Sequence, residues 1–292
     1  MAFNTLLSYV FVHGRLRFEF KVNVARELLS YGRFITASSI VIFVAARLDS
    51  AVIGRLLGTE QLGFYSLAFT IAGLATLNLS RIASDIMFPA FSKLQSDHSA
   101  LRNAYLRSLS MIMHLVLPAA VGLVVIAEPV LQVVYGEKWL PAVMPLKILA
   151  IFGVFRALFS FTGYLFEGIG MPRAAFVLGV MRLIAIASMI LPMTKLLGLV
   201  GAAIAVTIGG AVCWFGSLVY LRRNLGIGPS DIAHALWRPI WTTGVMAVAV
   251  GSLSPIVKPA SVVGLAIVIV LGIAIYAVLN VGVLRSLRRE RL

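Results

Sequence analysis

Acidic residues are scarce in this chain: 11 Asp and Glu among 292 residues, with charged residues of every kind at only 12%. A soluble domain carries about 25%. With 60% hydrophobic residues and a mean hydropathy of +0.99, only lipid can receive so much apolar surface. The few carboxylates are dispersed and no outer loop is long. A membrane enzyme, which needs clustered acids or a large soluble loop, is therefore disfavoured. Cysteine occurs once, at Cys213, so no disulfide can form within the chain. His13, His98, His114 and His234 are scattered, with no pair at metal-ligand spacing. The phosphate-cradling G-x-x-x-x-G-K-[ST] run is also missing. These absences point to an integral membrane protein with no metal site and no cofactor.

What the chain has in excess is positive charge, +14 net. In a soluble protein that excess would suggest nucleic acid. Here the cations occupy short loops between apolar runs and build no basic domain, so no nucleic-acid partner is expected.

The apolar runs predict eight helices near 31–56, 62–88, 105–127, 141–168, 174–195, 198–221, 239–256 and 261–284. Each is long enough to cross a bilayer, which takes about 20 residues. Runs this long without alternation exclude barrel strands of about ten residues. Most basic residues fall on one face of this map. Arg55, Lys138, Lys195 and Lys258 fall on the other, and Arg47, Arg81, Lys147, Arg156 and Arg182 fall within spans. The positive-inside rule makes the basic face cytoplasmic and puts both termini there. The expected organisation is a truncated helix end and basic linker over 1–30, then six helices over 31–221. A cytoplasmic linker follows over 222–238, then two additional transmembrane helices over 239–284 and a basic tail over 285–292. Met1–Val12 is too short to span and reads as the end of a helix whose beginning is missing.

The organising stretch is Tyr31–Ala68, an apolar helix that carries Arg47 and Asp49, breaks at Gly54 and turns through Gly58 and Gly63. A charge inside a span faces a partner or a water-filled cavity. Two positions on a helix are about 200° apart, so Arg47 and Asp49 must look in different directions. For Asp49 a cross-helix polar clamp is favoured; for Arg47 cavity lining and structural pairing are even. Arg81 and Asp85 are spaced i,i+4 and can pair locally, as an interfacial ion pair or, less readily, a gating element. Lys147 and Arg156 lie half a turn apart on one helix, Arg156 being the deeper and the better cavity candidate. Arg182 lies roughly 12 Å in from Ala174, a depth from which it could snorkel toward the cytoplasm. Tyr65, Tyr164, Phe155, Phe159 and Phe161 are read as packing or lipid-facing residues.

ARLDSAVIGRLLGTEQLGFYSLA resembles the opening of the C-terminal half of Wzx-type polysaccharide flippases, within the oligosaccharide–lipid and multidrug exporter superfamily. The matching features are Arg47-x-Asp49, Ile53-Gly54, Leu57-Gly58, Leu62-Gly63-x-Tyr65 and Ala68. ASDIMFPAFSKLQSD, VVYGEKWLPAVMPLKILA and FEGIGMPR resemble later segments of that family in the same order. The resemblance implies an all-α membrane fold with a six-helix, MATE-like C-terminal lobe plus two trailing helices. It implies a multi-pass protein of the bacterial inner membrane that flips undecaprenyl-diphosphate-linked oligosaccharide. Membrane lipids, polysaccharide polymerase or assembly proteins, and a missing N-terminal lobe are the partners it suggests. An anionic diphosphate suits arginine's planar fork, which makes Arg47, Arg156 and Lys147 the candidate substrate-phosphate residues. A small-molecule exporter of the same fold and a non-transporting subunit of an assembly complex are the competing readings.

Overall fold

In the computed structural model the described residues are 22–257 and 261–280, with side chains described over 36–74, 91–253 and 261–280. Among the described residues seven α-helices follow one another: α1 (Val22–Leu56), α2 (Gly58–Lys93), α3 (His98–Val130), α4 (Val143–Gly168), α5 (Pro172–Leu225), α6 (Pro229–Val257) and α7 (Val262–Leu279). No strand occurs among the described residues. Five helical stretches there are long and apolar enough to cross a membrane, the longest being the 54 residues of α5.

That length hides a reversal. Gly198 adopts φ 60° and ψ −134°, outside the helical region, and divides α5 into two arms. A left-handed residue with a Cβ costs about 1–2 kcal/mol, which glycine avoids. The arms then run antiparallel, since Gly209 on the second faces Ile186 on the first, and Gly216 faces Leu178 and Met181. A Cβ at Gly209 would collide with the Ile186 side chain and press on the Arg182 carbonyl. Gly209→Leu should therefore destabilise the protein by about 3 kcal/mol or more, since overpacking alone costs 1–3. Thermal unfolding in detergent reads that loss, with Gly210→Ala, whose new Cβ would meet the Phe152 ring edge and the Phe155 Cβ at 3.1–3.3 Å, as the milder comparison.

Elsewhere the breaks sit where the backbone has a reason to turn. The first hairpin breaks at Leu57–Gly58, with Gly58 at φ +87°, while Gly54 and Gly63 remain helical. The break expected at Gly54 is thus displaced by one turn, because Gly54 is used instead for close approach to Leu62. Asp97 caps α3 by accepting from the Ser99 and Ala100 amides at 3.0 and 2.9 Å. Between α3 and α4 the chain forms a π turn over Leu131–Tyr135 and a 3-10 turn over Glu137–Ala142. Trp139 there meets Phe64 edge-on at 5.5 Å, tying the elbow to α2. Within the expected linker 222–238, only 226–228 are non-helical.

α2 packs along α4, α4 along α5, and α1 along α5. Two buried apolar clusters result. One gathers Ala45, Ile53, Tyr65, Leu149, Phe152 and Ile186. The other, toward the basic end, gathers Phe91, Tyr105, Leu158, Phe161, Leu178 and Trp214. Burial of such side chains contributes about 1.5–3 kcal/mol each in water-exposed contexts. Between lipid-facing helices the gain is instead close packing, which the small residues of α5 permit.

The trailing helices α6 and α7 pair with each other and dock on α3. At the basic end an ion pair fastens them, Arg102 Nη2 to Asp231 Oδ1 at 2.8 Å. Asp231 also accepts from the Gly228 amide at 2.8 Å. The Arg102 hydrogen bond, then the amide, hold its carboxyl below the ordinary value of 3.8. A lowered folded pKa means the contribution is complete above the unfolded value and is lost as pH falls through the folded one. The melting temperature should therefore drop more between pH 6 and pH 3 in the native chain than in Asp231→Asn. Equal drops in the two proteins would show that the pair contributes nothing.

Candidate functional site

The two apolar clusters leave a seam, and the seam is charged. On α4, Phe152, Arg156 and Phe159 follow one another at i, i+4 and i+7, which places them on one face. On α2, Tyr65, Phe69 and Ala72 do the same. These two faces meet: the Phe69 and Phe152 rings lie 6.1 Å apart, as do Tyr65 and Phe69. The first arm of α5 brings Arg182 to this seam between Leu178 of one cluster and Ile186 of the other.

Asp49 closes the arrangement from α1. It is 3% exposed and accepts a hydrogen bond from the Tyr65 hydroxyl at 2.8 Å. Its other oxygen accepts from the Ser50 amide at 2.7 Å. This is a cross-helix clamp at the first hairpin. Arg47, two residues earlier, points the opposite way and is exposed on a face that also carries Ile40, Phe43 and Val44.

Arg182 is 8% exposed. Its guanidinium sits over the Phe159 ring at 4.9 Å and the Phe152 ring at 5.5 Å. Arg182 thus does not take the snorkel that its depth allows. The side chain is directed by the face of the helix that packs between α1 and α4, and aromatic surface accepts the cation there. The Asp49 carboxylate and the Arg182 guanidinium are within electrostatic reach of each other. Arg182 Nε has no hydrogen-bond partner among the described residues.

Arg156 is half-buried, its guanidinium 5.8 Å from the centre of the Phe69 ring. It lines a small recess with Phe69, Ala72, Gly73, Leu149, Phe152 and Gly153. Among the described side chains, two guanidinium groups and one carboxylate thus share an apolar seam, which leaves one positive charge in excess there. A buried charge without a counter-charge is costly. The seam is accordingly suited to an incoming anion with oxygen acceptors, which arginine receives through paired N–H groups.

Of the site candidates taken from the sequence, the structure brings together Asp49 and Arg156; it joins to them Arg182, Tyr65 and Phe159, read from the sequence as a snorkelling cation and packing residues, and Phe69 and Phe152. Lys147 is half-buried on α4, nine residues from Arg156 and about 13 Å away along the axis. The side chains of Arg81 and Asp85 lie outside the described residues. Among the described residues no group of His, Cys, Asp and Glu is arranged to hold a metal ion. The signal for the missed residues was the aromatic–arginine–aromatic spacing on α4.

Residues 1–144 match the family model described as polysaccharide biosynthesis protein. The teichuronic acid biosynthesis protein TuaB of Bacillus subtilis (strain 168) is 33% identical over 159 residues, 54% of this chain and 33% of that protein. The lipopolysaccharide biosynthesis protein WzxC of Escherichia coli (strain K12) is 28% identical over 218 residues, 73% of this chain and 44% of that protein. This chain therefore spans less than half the length of these relatives. Among solved structures, the lipid II flippase MurJ in an inward closed conformation aligns with a TM-score of 0.67 at 15% identity. That alignment covers 98% of this chain and 59% of the other, and it establishes the shared fold.

Proposed function

Taking this chain as a relative of the Wzx-type polysaccharide flippases, we propose that it forms the C-terminal half of a transporter. The cargo is an undecaprenyl-diphosphate-linked oligosaccharide, moved across the cytoplasmic membrane of a bacterium during polysaccharide synthesis. The observation that carries this reading is the excess positive charge of Arg156 and Arg182 inside a helical bundle with a flippase fold. A diphosphate crossing lipid needs such a compensating charge, because ions taken from water into an apolar medium are strongly disfavoured.

In this reading Arg156 meets the diphosphate from its recess, and Arg182, held by Phe152 and Phe159, supplies the field behind it. Arg47 faces the aqueous side of the path, since an arginine on an exposed face at mid-span requires water or a partner. The part of the relatives' length that this chain does not span would supply the opposite wall. Lys147 is a second cation farther along α4. The work is translocation without bond chemistry.

The test is transport in proteoliposomes that carry a lipid-linked oligosaccharide in the inner leaflet. A glycosidase added outside reports how much sugar becomes accessible. The chain is assayed alone and together with a six-helix lobe from a relative. Sugar exposure above protein-free vesicles in either arm supports the reading. Background exposure in both, with the protein folded, overturns it.

A further inference from the structure

Two aromatic rings hold a cation that a nearby carboxylate would otherwise take. Phe152 and Phe159 are seven residues apart on α4, about two turns along one face. The Arg182 guanidinium carbon lies 5.5 Å from the centre of the first ring and 4.9 Å from the second. Both distances are inside the roughly 6 Å over which a ring face attracts a cation. Arg182 is 8% exposed, and its Nε has no hydrogen-bond partner. Among the described residues, aromatic surface is what fixes this guanidinium.

The alternative resting place is Asp49, which lies within electrostatic reach of Arg182. Its oxygens are taken from other directions. Oδ1 accepts the Ser50 amide at 2.7 Å, and Oδ2 accepts the Tyr65 hydroxyl at 2.8 Å. A carboxylate has about four lone-pair positions, so both oxygens could still receive a guanidinium. A direct pair of that kind is bidentate and strong. It would also neutralise Arg182 and leave Arg156 as the one uncompensated cation among the described side chains of the seam. The rings prevent this. Tyr65 lies 6.1 Å from Phe69, and Phe69 lies 6.1 Å from Phe152. The residue that occupies Asp49 thus also steadies, through Phe69, one of the rings that hold Arg182.

We propose that Phe152 and Phe159 are positioning residues: their ring faces keep Arg182 off Asp49, and so keep a second cation available to a phosphate group arriving in the seam. They act through Arg182 and do not touch the phosphate. Their part in transport rests on the seam being the path of the diphosphate cargo; the placement of Arg182 does not. Packing alone would depend on the shape of the rings, whereas this role depends on their charge distribution, negative on the face and positive at the edge. Fluorine atoms on the ring withdraw the negative charge from its face and leave its size nearly constant.

The experiment installs phenylalanine carrying one, two or three fluorine atoms at position 159 of the 292-residue chain, purified in detergent. Two quantities are read: equilibrium binding of geranylgeranyl diphosphate, and the fall in melting temperature that Asp49→Asn causes in each background. The expected result is a stepwise loss of affinity, about tenfold by the third fluorine. The fall caused by Asp49→Asn should grow along the same series, as Arg182 comes to depend on the carboxylate. Phe159→Tyr keeps the ring face and should retain the native affinity, while Phe159→Leu should resemble the trifluoro ring. These two variants give the same comparisons if a fluorinated chain fails to fold. Affinity that ignores ring charge, or an Asp49→Asn effect that stays constant across the series, would overturn the proposal. A native chain that binds no diphosphate would remove the cargo reading, and the melting series would still decide what holds Arg182.

Discussion

Asp49→Leu is expected to lower the stability of the folded chain by about 3–5 kcal/mol, the range for removing one partner of a buried charge arrangement. The carboxylate receives the Tyr65 hydroxyl at 2.8 Å and is the nearby counter-charge of Arg182. Without it, a hydroxyl and a guanidinium remain in an apolar seam with no acceptor supplied from α1. Asp49→Asn keeps an oxygen for Tyr65 and loses only the charge, so its cost should fall nearer 1–3 kcal/mol. The decisive comparison is a double-mutant cycle with Arg182→Met, which removes the cation and retains apolar volume. Coupled groups deviate from additivity by about 0.5–3 kcal/mol. The double variant should therefore be more stable than the sum of the single losses predicts. Strict additivity in chemical or thermal unfolding would mean that the carboxylate acts through Tyr65 alone.

The fate of these charges explains how much the sequence could tell. Helix existence followed from run length, because an apolar stretch of more than twenty residues has few alternatives in lipid. The opposed directions of Arg47 and Asp49 followed from helical geometry alone, which depends on nothing outside the helix. Arg182 did not follow. Its depth below the membrane surface allowed a snorkel, and depth was the only coordinate available before the neighbours were known. The side chain goes where α5 packs between α1 and α4, a fact of tertiary arrangement. The spacing of Phe152, Arg156 and Phe159 was visible, yet aromatic residues at helical spacing are commonly core. Only the facing Phe69 and Arg182 give that stripe its meaning. The Gly198 reversal was marked by a glycine between two apolar runs.

The same seam yields the largest expected effect on transport. Arg156→Gln should slow appearance of the lipid-linked sugar outside by about 10- to 150-fold. That range corresponds to one hydrogen-bonded charge pair, about 1.5–3 kcal/mol, at 1.36 kcal/mol per tenfold. The structural cost should be smaller, because within the fold the substitution removes one cation–π pair, with Phe69 at 5.8 Å. Such a pair is worth about 0.5–2 kcal/mol. Arg156→Lys keeps the charge and gives up the planar fork, so it should recover only part of the rate. If Arg156 grips the diphosphate equally throughout the passage, the glutamine variant raises the half-saturating substrate concentration and leaves the maximal rate unchanged. If it acts at the crossing itself, the maximal rate falls. A folded glutamine variant that transports within twofold of the native chain would remove Arg156 from the path. The cationic role would then rest with Arg182 or with Arg47 on the open face.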